Sequence, residues 1–84
     1  MNILKINPAD NVAVALEAMT SGTVLTVDGT EITLNADIPM GHKIALKDIA
    51  EKENVVKYGY PIGHARAAIR RGDWVNETSI KTNL

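Results

Sequence analysis

Apolar positions in this chain come in short runs, broken at close intervals by glycine, proline or polar and charged residues. Ile3-Leu4-Lys5-Ile6 predicts an edge strand stopped by Asn7-Pro8. Val24 to Val27 and Thr30 to Leu34 are β-branched runs on either side of Asp28-Gly29, the pair that populates the positive φ angles of a two-residue type I′ turn. They predict a hairpin. Asp37-Ile38-Pro39-Met40-Gly41 turns the chain into a strand over His42 to Leu46. Lys47 to Lys52 fits a single helical turn, Asn54 to Tyr58 a strand, and His64 to Arg70 a second helical piece before Gly72-Asp73-Trp74-Val75. The segment Asp10 to Met19 fits two periods. Val12, Leu16 and Met19 share a helix face that Asp10 or Asn11 could cap, while Val12, Val14 and Leu16 alternate as in a strand. Its alanines favour the helix.

A weak internal repeat favours the strand. Its pattern is apolar, two residues, usually glycine, two residues, apolar. The copies are Met19 to Leu25, Ile38 to Ile44, Ile49 to Val55 with Lys52 in place of the glycine, and Ile69 to Val75. Each copy buries one aliphatic, turns at the glycine and starts a new strand. Many short strands with frequent turns predict a single all-β domain over residues 1–84, compact and barrel-like, with short helical turns. The spacing is too irregular for a solenoid.

Composition limits what such a domain can be. At 84 residues the core is small, and with no Phe it must be aliphatic. A formal charge of −1 gives no field that draws nucleic acid or an anionic membrane. The absence of cysteine excludes disulfides, thiolate metal sites and a Cys nucleophile. The N-terminal residues are too short and polar a stretch for a signal peptide, and no apolar run reaches bilayer length. A cytoplasmic location is expected.

Candidate chemistry centres on Val55 to Ala65, where Gly59, Pro61 and Gly63 prescribe a backbone course that few side chains could follow. Such a loop can gather bare amides, the phenols of Tyr58 and Tyr60 and the imidazole of His64 at one rim. The same residues also suit a tight connection between two strands. His42 and His64 titrate near neutral pH when unperturbed, which makes them the acid or base candidates. No H-x-x-x-H or H-x-H spacing is present, so a metal site built by this chain alone is not expected. Nucleophile-elbow, P-loop and dinucleotide fingerprints are absent too. Lys43, Lys57 and Arg66 could each pair with a carboxylate, and Trp74 suits either a core plug or a binding residue.

Asp37-Ile38-Pro39-Met40-Gly41-His42-Lys43-Ile44-Ala45-Leu46, followed by Val56-Lys57-Tyr58-Gly59 and Ile62-Gly63, resembles the SAF domain of the altronate and galactarate dehydratase family. The opening Asp10 to Leu16 and the closing Lys81-Thr82-Asn83-Leu84 are similar to it as well. The resemblance implies a β-clip fold. It also implies a lyase that removes water, or sulfite in the related sulfolactate sulfo-lyase, from a 2-hydroxy acid. In that family the domain usually opens a long sugar-acid dehydratase, so here it is expected as a small subunit working with a large dehydratase subunit. The divalent iron or manganese that such dehydratases need would be held by the large subunit, with none bound by this chain alone. His42, Lys43, Tyr58, Gly59 and Gly63 match the family motif. One departure stands out. An H-x-H-N stretch common in the family is replaced here by Asn76-Glu77-Thr78-Ser79.

Elimination beside a carboxylate demands a base for the proton, an acid for the leaving group and charge stabilisation for the enolate. The expected roles are therefore acid or base chemistry at His42 and His64, and substrate binding at Lys43, Lys57, Tyr58, Gly59 and Gly63. Gly59 and Gly63 would leave room for an approaching partner. The alternatives are a non-catalytic sugar-acid-binding or assembly module and the small subunit of a sulfo-lyase-like enzyme. Partners would be the large subunit, a small sugar acid and further copies of the chain, with no nucleic acid or membrane.

Overall fold

The computed structural model describes residues 2–82, and within them every regular element is a strand. In chain order these are β1 (Ile3–Leu4), β2 (Val12–Ala15), β3 (Val24–Val27), β4 (Thr30–Thr33), β5 (Lys43–Ala45), β6 (Asn54–Lys57), β7 (Tyr60–Ala65), β8 (Trp74–Val75) and β9 (Ile80–Lys81). They form three antiparallel sheets, ordered β1-β2-β5-β8, β3-β4 and β6-β7-β9. None closes into a barrel, so the compact all-β reading holds without barrel closure. Asn83 and Leu84, part of the C-terminal resemblance, lie outside the described residues.

Within segment 10–19, Val12–Ala15 forms a strand because its apolar residues serve two cores at once. The β1-β2-β5-β8 sheet is covered on both faces. Ala13, Ala15, Ile44 and Trp74 contribute to one aliphatic cluster with Met19, Leu25 and Ile38, while Val12, Ala45 and Val75 join Ile49, Val55, Ala65 and Ile69 in the other. A strand buried on both faces reads as a continuous apolar run, which is why the period was ambiguous. Ile44 is fully buried at its centre, and burial of one such side chain contributes about 1.5–3 kcal/mol.

The four-copy repeat is the organising device. Met19 bridges Ile38, and Ile49 bridges Ile69, so the copies pair two by two. In each copy the turn residue donates its N–H to the end of another segment: Gly22 to Leu34, Gly41 to Ala15, Lys52 to Ala65, Gly72 to Ala45. All four have positive φ, Lys52 included at 71°. Acidic side chains brace the same turns. Asp37 accepts the Ser21 N–H and Asp48 the Arg71 N–H, both from the partner copy. Residues 47–52 and 66–70, expected as helical turns, are these braced turns, and His64 and Ala65 belong to β7. Their short polar runs carry helix-compatible residues, but each bridging aliphatic spends its backbone bonds on its partner copy.

Two hairpins project from the sheet. Asp28 and Gly29 connect β3 to β4 in the predicted register, with Val27 opposite Thr30. Tyr58 (φ 56°) and Gly59 (φ 80°) connect β6 to β7 in the same way. The stretch Val55 to Ala65 thus forms the tight connection between two strands that its residues also suited. Pro61 is tolerated because the pairing of β6 with β7 shifts register between Val55 and Val56, and β9 pairs β7 only from His64 onward.

Candidate active-site cleft

The strand order β2-β5-β8 brings one side of β5 against β8, pairing Ile44 with Trp74 and Lys43 with Val75. His42, just before β5, thus comes beside the Trp74 ring. The indole N–H of Trp74 donates to Nδ1 of His42 at 3.1 Å, with the rings edge to face and their centroids 5.5 Å apart. Beyond β8 the chain turns sharply. Asn76 accepts both the N–H and the hydroxyl of Thr78 on its side-chain oxygen, leaving Glu77 exposed at the turn. Gly41, His42, Lys43, Trp74, Asn76, Glu77 and Thr78 line an open cleft of about 410 Å³.

Lys43 is the half-buried cation of this cleft. Burial pushes its ammonium below the usual lysine range, the positive charge of Lys57 adds to that, and Glu77 opposes it. The Lys57 ammonium itself lies 5.2 Å from the centre of the Tyr58 ring. Two cations against one carboxylate leave the cleft with a surplus of positive charge. An anionic ligand suits it.

The expected site residues divide into two groups. His42 and Lys43 share the cleft, and Lys57 acts on it through its charge. Tyr58 and Gly59 form the tip of the β6–β7 hairpin, while His64 sits on β7 between Asn54 and Lys81. Gly63 is buried, and a Cβ there would lie 2.6 Å from the Lys81 carbonyl oxygen on β9. At Gly59 a Cβ would meet the Asn7 side-chain nitrogen at 2.7 Å. Both glycines do admit a close approach, but the segments that approach are the chain's own N-terminal loop and β9.

Asp10 and Asn11, which could have capped a helix had segment 10–19 formed one, are buried ties to that hairpin. Asp10 accepts the N–H of Gly59 at 2.7 Å, and Asn11 accepts the N–H of Val56 at 2.7 Å while donating to the Asn54 carbonyl at 2.9 Å. Burial raises the Asp10 carboxyl, but the amides of Gly59, Asn7, Tyr58 and Ile6 outweigh it and hold the group below the usual 3.8. Sequence reasoning left Trp74 open between core plug and binding residue, and gave Glu77 no role. The repeat held the signal, since Trp74 follows Gly72 by the same two positions as Lys43 follows Gly41.

A second cleft, of about 450 Å³, lies between the β1 exit and β3, lined by Ile3, Lys5, Asn7, Pro8 and Asp28 among others. Its Lys5 and Asp28 are paired with each other at 2.5 Å. Among the described residues no three His, Asp or Glu side chains gather as metal ligands, so neither cleft fits a metal ion by itself. No helix there is long and apolar enough to cross a membrane.

A family model described as the altronate/galactarate dehydratase SAF domain matches residues 1–83. The chain belongs to that family. As a SAF domain it is 49% identical over 84 residues, its entire length, to an altronate dehydratase of Escherichia coli, and 43% identical over 83 residues to one of Bacillus subtilis. It spans 17% of the length of each of those relatives. It is also 40% identical over 65 residues to a (2R)-sulfolactate sulfo-lyase subunit alpha of Chromohalobacter salexigens, covering 76% of this chain and 69% of that subunit.

Proposed function

We propose that this SAF domain is the small component of a cytoplasmic sugar-acid dehydratase. With a large dehydratase subunit it eliminates water from a 2-hydroxy acid of the altronate or galactarate class. The observation that carries the reading is the cleft in which His42, half-buried Lys43 and Glu77 meet with a surplus of positive charge. Lys43, with Lys57 behind it, attracts the substrate carboxylate. His42 faces the polyol or the departing hydroxyl, and the large subunit closes the cleft against water. The iron or manganese implied by the family would sit with the large subunit. His64, on β7, remains a second acid or base candidate, to be compared with His42 by substitution.

The test is to co-express the chain with a large dehydratase subunit, purify the complex and assay altronate, galactarate and (2R)-sulfolactate. Elimination that requires both components, and that falls about a hundredfold in His42→Ala, supports the reading. Full activity of the large subunit alone would overturn it. A sulfo-lyase reading has its own support in the coverage of the sulfolactate sulfo-lyase subunit alpha, and exclusive turnover of sulfolactate would select it. Binding of a sugar acid without turnover would select the non-catalytic module.

A further inference from the structure

His42 has two ring nitrogens, and a neutral imidazole has one donor and one acceptor between them. The Trp74 indole nitrogen can only donate, so the nitrogen it reaches, Nδ1, must be the acceptor. The proton then resides on Nε2. Trp74 is itself held in place: it sits on β8 opposite Ile44 and packs its body against the first aliphatic core. Its N–H is therefore aimed by the fold at a histidine that is otherwise exposed. A neutral exposed imidazole in water already leans towards the Nε2–H form while populating both tautomers, and the indole N–H at Nδ1 makes that form exclusive.

We propose that Trp74 is a positioning residue that fixes His42 as a hydrogen-bond donor at Nε2, pointed at a ligand oxygen in the cleft beside Lys43. The proposal rests on the reading of this cleft as the substrate site, and it sharpens it. A histidine whose Nδ1 is occupied and whose Nε2 carries the proton donates to a hydroxyl or carboxylate oxygen and does not take a proton at Nε2. His42 stabilises charge on oxygen, and removal of the carbon-bound proton falls to another group. The edge-to-face ring contact at 61° limits rotation of the imidazole, which keeps that donor in one direction.

Long-range proton–nitrogen NMR on the chain reads the tautomer directly. In wild type the neutral form of His42 is expected to carry its proton on Nε2, with Nδ1 unprotonated. Trp74→Phe is expected to return the ring to an average of both tautomers. A wild-type His42 that is Nδ1-protonated or averaged overturns the proposal, whether or not the variant folds. So does a tautomer that is unchanged in folded Trp74→Phe. In the complex with the large subunit, Trp74→Phe is expected to lower kcat about tenfold with little change in KM. His42→Gln, which keeps an N–H donor, should retain at least tenfold more turnover than His42→Ala. Equal loss in both would show that His42 acts as a base and overturn the donor role. A Trp74-dependent Nε2 tautomer together with full activity of His42→Ala would leave the positioning intact and remove the cleft from catalysis.

Discussion

The Asp10 carboxylate accepts the backbone N–H of Gly59 at 2.7 Å, joining positions 49 residues apart. It ties the loop after β1 to the tip of the β6–β7 hairpin. The remaining Asp10 oxygen takes the Asn7 N–H at 3.2 Å, so both oxygens serve as acceptors in a buried pocket.

Loss of this carboxylate should be costly. Asp10→Ala strands buried amides and is expected to destabilise the domain by about 2–3 kcal/mol, read by urea unfolding. The pH dependence follows from the direction of the shift. Asp10 is held below 3.8 in the folded chain and returns to that value on unfolding. Its contribution is complete above the unfolded value and disappears as pH falls through the folded one. Acid titration of stability below pH 4 should therefore be less steep in Asp10→Asn than in wild type.

Lys52 occupies the left-handed turn position that glycine fills in the other three copies. A side chain there costs about 1 kcal/mol, partly offset by the greater freedom of glycine when unfolded. Lys52→Gly is expected to stabilise the domain by about 0.5 kcal/mol and to raise Tm by a few degrees in a thermal melt. A lower Tm would mean that the lysine makes compensating contacts.

Gly63→Val should unfold or strongly destabilise the isolated domain, by about 2 kcal/mol or more, because its new atoms run into the β9 backbone. Circular dichroism and urea unfolding measure this. The space at Gly63 expected to admit a partner is taken by β9 of the chain itself.

Lys43 should titrate below the ordinary 10.5, observable by carbon NMR of its terminal methylene. Lys57→Met removes a repelling charge and should raise the value, whereas Glu77→Gln removes the opposing one and should lower it. In the assembled enzyme Lys43→Met is expected to raise KM for an anionic substrate about tenfold.

What could be read in advance followed from residues whose local chemistry admits one answer. Asp28-Gly29 between β-branched runs specifies its hairpin without help from the rest of the chain. The glycine of three of the four repeats marked its turn, and Lys43 was placed correctly at the start of a strand, with His42 just before it. The second hairpin was legible only as one of two readings, because Tyr58 is an uncommon residue at positive φ, held there by Asp10 contacts that only the fold creates. The same holds for Trp74, whose partner stands 32 residues away and becomes its neighbour through the pairing of β5 with β8. Asp10 and Asn11 looked like helix caps because a cap and a hairpin tie need the same side chain: a short acceptor beside unpaired amides.

The β2–β5 seam sets two residues in equivalent positions with different duties. Ala15 donates to the carbonyl of His42, and in the mirrored bond Leu46 donates to the carbonyl of Asn11. Asn11 and His42 therefore hold matching posts at the heads of two matching strands. At one post an amide side chain is spent on fastening the neighbouring hairpin. At the other the imidazole is relieved of that duty, exposed, and aimed by a tryptophan. Duplicated architecture lets one half carry the mechanical constraint while its twin stays exposed, so replacing Asn11 should injure the fold where replacing His42 should leave it intact.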